Sequence, residues 1–294
     1  MPRLTSLNEI MHRLQSAAIV FFVLFCVQGC TEKARDDAIR ALVKQATSFN
    51  VDRGFHVIDG QPVYLDSNAS VGKIRREIPN VDAATFRILP PTPCGRMLYA
   101  ADAHLVYFAM YYNVITLPHA DAPSFQLLPN SNFYARDRDS VFYLGVTIEG
   151  ADPATFTQLT DSFAKDKSRA YLGIKPIPVK DLATWTPLGE GLATDPWHRD
   201  RLNTHPRKAS EVSGFGWSKD ESTVYWGSKV VKGALASTFV VLDRSYAKDE
   251  MRVYYSGEPI ANADAASFSL IQPSVGPEPD ATDENRDYKY GKPQ

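Results

Sequence analysis

Six aspartates in this chain of 294 residues stand at one spacing ahead of a ring: Asp59/Tyr64, Asp102/Tyr107, Asp137/Phe142, Asp166/Tyr171, Asp220/Tyr225 and Asp249/Tyr254. Carboxylates repeated in this way could ligate calcium, pair as acid and base on a glycoside, or bond the amides of turns. Calcium takes six to eight oxygens, and bases crowd these acids instead: Arg136 and Arg138 beside Asp137, Lys165 and Lys167 beside Asp166, Lys248 beside Asp249. A hydrolase pair would have to be chosen among 34 acidic residues, and no spacing selects one. The turn reading fits best, because Asp and Ser side chains bond nearby backbone N–H groups, as "DKS" at 166–168 would do between two strands.

A second signature alternates with the first. It is a Thr or Ser followed by a ring, with an Asp ahead: Asp82/Thr85/Phe86, Asp121/Ser124/Phe125, Asp152/Thr155/Phe156, Asp181/Thr184/Trp185 and Asp264/Ser267/Phe268; at Thr238/Phe239 the Asp slot holds Leu235. From first-signature Asp to second-signature ring the interval is 19 in four units and 23 and 27 in the two N-terminal ones, and the shortest full period is 29. Fixed periods of this size mark solenoids, propellers or arrays. Each unit reads as four short strands, such as "TFTQL", "SFAKD", "RAYLG" and "KPIP". The third strand is apolar at consecutive positions (Val141, Phe142, Tyr143; Val224, Tyr225, Trp226), as a strand covered on both faces must be. In "ADPATF", Asp152 is placed to cap one helical turn that begins at Pro153 and delivers Phe156 as an apolar plug. "ATSF", ending at Phe49, and "DENRDYKYG", 283–291, extend the pattern at both ends to seven phases.

On these residues the chain resembles the DKNYY family of bacterial repeat proteins, named for an Asp-Lys-Asn and a Tyr-Tyr pair. "DKSRAYL" keeps the Asp-Lys, "DEMRVYY" keeps the Tyr-Tyr, and "DRDSVFY" sits between them. The resemblance runs from about residue 49 to the end. It implies architecture and imports no active site.

One interval breaks the rhythm. Trp185 to Asp220 spans 35 residues where 10 suffice, so an inserted loop is expected at about 188–214. It contains "WHRDRLNTHPRK", and Trp197, Arg199, Arg201, His205 and Arg207 form the candidate binding patch, because Trp and Arg are favoured at interface hot spots. His198 and His205, with Asp195 and Asp200, match no metal-ligand spacing, and Pro206 argues for irregular backbone. Slow growth of loop-closure entropy with length suggests that removing about 190–213 would leave the repeats folded. Cys94, in "PPTPCG", lacks a nearby base and reads as a sequestered thiol.

Composition sets the remaining bounds. The chain is 44% hydrophobic with a net charge of −2, so no nucleic-acid footprint is expected. "SAAIVFFVLFCV" at 16–27 is too short to span a bilayer and reads as the apolar core of a secretory signal, compact if translation starts at Met11. "VQGC" resembles a bacterial lipobox, which would make Cys30 the acylated first residue of the mature chain and its anchor in the lipid bilayer. Thr31 after it favours the outer membrane. The expected organisation is a signal peptide at 1–29, a linker helix at 30–48 with Ile39, Leu42, Val43 and Ala46 on one face and packed on the first repeat, and a β-repeat domain at 49–294. The fold class is all-β, in tandem four-stranded meanders forming a propeller-like ring or an open array. The expected function is a non-enzymatic, lipid-anchored scaffold of the bacterial cell envelope that binds a protein partner and uses no cofactor or metal. The alternatives are an immunity or inhibitor protein for a secreted toxin, and an envelope hydrolase on a propeller-like fold.

Overall fold

The computed structural model describes residues 53–294 except 69–71, 92–97, 111–112, 130, 132, 194–196, 200–203, 207 and 272–277. Cys30, Cys94, the linker helix and Phe49 lie outside the described residues. The described chain is all-β, a succession of antiparallel meanders with one short 3-10 turn at Ala209–Glu211. A three-stranded first sheet (Gly54–Ile58, Gln61–Asn68, Gly72–Glu77) is followed by six sheets of four strands, here numbered 2 to 7 in chain order.

Sheet 4 shows the unit. Its strands are Thr157–Gln158, Phe163–Lys165, Ala170–Leu172 and Lys175–Ile177, hydrogen-bonded in sequence order. Register sets Phe163 opposite Leu172 and Ala164 opposite Tyr171. The third strand is buried at every position, here and at Val141–Tyr143 of sheet 3. Two-residue and three-residue strands cannot close a core alone. Stacking closes it, as repeat architectures require.

Two devices make the stack. First, each second-signature ring inserts between sheets: Phe156 lies 5.4 Å from Tyr134 of sheet 3 and 5.7 Å from Tyr171 of sheet 4, and Phe268 lies 5.6 Å from Tyr246 and 5.3 Å from Tyr288. Such ring pairs add about 0.5–1.5 kcal/mol each beyond area burial. Second, the turn from the third to the fourth strand lays a glycine on the previous sheet. Gly257 (φ +85°) and Gly291 (φ +73°) face Trp226 and Tyr255 so closely that an added Cβ would come within 2.6 and 2.5 Å of those side chains. The second ring of the Tyr-Tyr pair is therefore the floor on which the next repeat's glycine rests.

The last sheet is finished differently. Asp280 and Lys289 occupy the positions held by Tyr246 and Tyr255 in sheet 6, so the two rings that would receive a further repeat are replaced by charged side chains. Asp280 turns back on the sheet before it, accepting from Tyr246 Oη at 2.6 Å and from Tyr290 N at 2.9 Å.

Three expectations require correction. Asp59 stands in the hairpin between the first two described strands, but as an exposed residue at φ +53° followed by Gly60, a two-residue turn of the kind Asp-Gly favours. Tyr64 bonds forward to Asp66 at 3.1 Å, not back to Asp59. The region 188–214 is not a free loop. Leu192–Ala193 pairs with Gly214–Phe215, Ala193 and Val212 are buried in the core that holds Phe163 and Leu172, and Lys175 Nζ donates to Val212 O at 3.0 Å. Removing 190–213 would uncover that core. Finally, Pro206 is not in irregular backbone: Thr204–Pro206 pairs with Trp197–Arg199 as a second ribbon, with Trp197 opposite Pro206 and His198 opposite His205.

Candidate functional site

In each four-stranded sheet the first-signature Asp sits in the hairpin between the second and third strands and uses both carboxylate oxygens. In sheet 4, Asp166 Oδ1 accepts from Ser168 N at 2.7 Å and Arg169 N at 2.8 Å, which closes the turn. Its Oδ2 accepts from Tyr171 Oη at 2.8 Å and from Asp152 N at 3.0 Å, the amide that opens the second-signature turn. The same four donors meet Asp102, Asp220, Asp249 and Asp283, with phenol distances of 2.5, 2.7, 2.8 and 2.6 Å. Leu235, in the Asp slot, still gives its amide to Asp249 at 2.9 Å. In sheet 3, Phe142 removes the phenol and Asp137 keeps the three amides.

The second-signature hydroxyl completes a clasp. Thr155 Oγ1 donates to Asp152 at 3.0 Å and accepts from Lys167 N at 3.1 Å, so each turn holds the other. From the opposite side, a cation on the second strand of the preceding sheet reaches the same turn: Arg136 donates to Pro153 O at 2.9 Å, Lys219 to Ala236 O at 2.8 Å and Lys248 to Ala265 O at 2.8 Å. The Lys167–Asp152 ion pair at 2.6 Å joins a largely exposed Lys and adds little.

The electrostatics follow. Burial alone would raise the carboxyls of Asp102, Asp166 and Asp283, but the amides and phenol aimed at each outweigh it and hold them at about 2. Asp220 and Asp249 are lowered by the same groups against the same burial. Burial, and then the bond to the carboxylate, pushes Tyr225, Tyr254 and Tyr288 up to about 12. These acids are ionised, saturated acceptors. They have no vacant lone pair directed at a cleft, and among the described residues no group of three His, Cys, Asp or Glu is arranged to hold a metal.

The rings read from the sequence take two places. Tyr107, Phe142, Tyr171, Tyr225 and Tyr254 lie on buried third strands, and Phe86, Phe125, Phe156, Trp185, Phe239 and Phe268 lie between sheets, with all but Phe86 buried. Of the candidate binding residues, Trp197, Arg199 and His205 belong to the distal ribbon of the insertion, while Arg201 and Arg207 lie outside the described residues. In this hairpin Trp197 pairs with Pro206, His198 with His205 and Arg199 with Thr204.

Sequence reasoning missed a cleft. An open groove of about 730 Å3 runs along the fourth strands of sheets 2 and 3, Asn113–Thr116 and Val146–Thr147, and the insertion reaches it with Pro206 and Lys208. A second groove of about 520 Å3 follows the fourth strand of sheet 4, past Lys175, Ile177 and Val179. The first groove joins parts of the chain far apart in sequence, residues 114–119 with Pro206 and Lys208, which no local pattern reports.

A family model, described as the DKNYY family, matches residues 134–291, more than half of the chain. Neither a curated protein nor a solved structure matches it.

Proposed function

The chain belongs to the DKNYY family, and from that premise we propose that it is a non-enzymatic scaffold of the bacterial cell envelope, anchored through acylated Cys30, that holds a protein partner with its insertion. The observation that carries this reading is where extra length enters. Between a second-signature ring and the next first-signature Asp the chain varies from 10 to 35 residues, and the variation falls in the connection from first to second strand, at the end of the sheets opposite the clasps. Extensions of repeats concentrate on one face, often the binding face. The longest is rooted in the core through Ala193 and Val212 and presents the Trp197–Pro206 ribbon beyond it. The repeat acids support a scaffold as well, since their bonding capacity is spent on turns.

The test is capture of membrane proteins by the full chain, compared with a variant in which residues 197–206 are replaced by a Gly-Ser linker. Loss of a captured protein with an unchanged melting temperature supports the proposal. Equal capture by both removes the insertion from the interface. Anchoring has its own test: a fatty-acid analogue should label the wild type and not Cys30→Ala, and an unlabelled wild type would end the lipid-anchor reading.

A further inference from the structure

The groove between the fourth strands of sheets 2 and 3 has a one-sided chemistry. Its walls are apolar, with Pro79, Val114, Ile115 and Pro118 among them, and among the described residues the ionisable ones that line it are His119 and Lys208, both exposed. None of the described lining residues is a carboxylate, although the chain as a whole carries more acids than bases. Lys208 arrives on the insertion and His119 follows the fourth strand of sheet 2, so the two basic side chains reach the furrow from separate parts of the chain. Asn113–Thr116 is the last strand of its sheet in the hydrogen-bonding order. An edge strand beside an apolar furrow is the geometry that receives an extended peptide, with main-chain bonds supplying affinity and side-chain pockets supplying selectivity.

We propose that this groove binds an extended peptide segment of a protein partner in which aliphatic or aromatic residues adjoin Asp or Glu, the apolar side chains lying on Pro79, Val114, Ile115 and Pro118 and the carboxylate meeting His119 and Lys208. An acyl chain would share the apolar and anionic character, but the furrow is open and edged by backbone, which favours a peptide over an alkyl tail. The inference rests on the protein-binding reading above and adds the chemistry of what is bound.

The experiment is selection of a displayed random hexapeptide library on the detergent-solubilised full chain, with Thr147→Glu/Lys208→Glu as the counter-target. Both positions are exposed, so the double variant should keep its melting temperature, and circular dichroism checks this; Thr147→Gln/Lys208→Gln serves if it does not. The expected result is enrichment of sequences with Asp or Glu next to Leu, Ile, Val or Phe, and at least tenfold weaker binding of the selected peptides to the variant. No enrichment, enrichment of basic peptides, equal binding to the variant, or dodecanoate binding in the groove where peptides do not would each overturn the proposal. Membrane capture that depends on residues 197–206 while the peptide selection fails would leave the scaffold reading standing without this site.

Discussion

The two ends of the stacked sheets follow different rules. At one end the hairpin Asp, the phenol and the second-signature turn repeat with nearly constant geometry, from Asp102 bound to Asp82 N at 2.9 Å to Asp283 bound to Asp264 N at 2.9 Å. At the other, the connection from first to second strand varies in length, and in sheet 5 it expands into a two-ribbon insertion. The clasp end defines the repeat and changes only at single positions, such as Phe142 and Leu235. The loop end carries the changes in length.

The strongest challenge to that contrast is acid. Asp102, Asp166 and Asp283 titrate at about 2 in the folded chain and near 3.9 when unfolded, so the stability they contribute is complete above about pH 4 and is lost as pH falls towards 2. Several clasps fail in one window, and unfolding monitored by circular dichroism should be steep there. Alkali acts through the phenols with the opposite sign. Tyr225, Tyr254 and Tyr288 stand at about 12 against about 10 unfolded, so their contribution is complete below pH 10 and declines through pH 12.

Single changes grade the same comparison. Asp166→Ala strands the phenol and three amides and should cost about 4 kcal/mol in urea denaturation. Gly291→Val drives a branched side chain into Tyr255 at a left-handed φ and should cost about 2–3 kcal/mol. Tyr171→Phe reproduces the arrangement that sheet 3 already has and should cost only about 1 kcal/mol; Phe142→Tyr, which supplies the missing phenol to Asp137, should return a similar amount. Four Gly-Ser residues added after Gly95, in the variable connection of sheet 2, should cost less than about 1 kcal/mol. If that insertion proves as damaging as Asp166→Ala, the two ends are not different in kind.

Much of the clasp end was legible in the chain. A constant Asp-to-ring interval places both residues on one hairpin, and the Asp-Pro-Ala-Thr-Phe string specifies a capped turn and a plug. The link between them was not legible, because Asp152 N and Asp166 Oδ2 meet only when successive turns are side by side, and no local pattern reports that. Asp59 shows the limit of spacing alone: it satisfies the interval, yet Gly60 after it selects a two-residue turn with no room for a clasp. The insertion was legible as extra length but not as structure. Ala193 and Val212 are small residues without periodicity, and their burial depends on Phe163 and Leu172 from another part of the chain. The role of the turn glycines was hidden for the same reason, since their neighbours are rings one repeat earlier.

Amide hydrogen exchange on the native protein tests the central claim most directly. The amides of Asp82, Asp121, Asp152, Asp181, Leu235 and Asp264 lie in turns, outside any strand ladder, and each is donated to the carboxylate of the next hairpin. Clasps that hold the stack together predict that these six exchange as slowly as the buried third strands and open with them, in cooperative units. Exchange of these amides at the rate of exposed turns, with the strands still protected, would contradict the account.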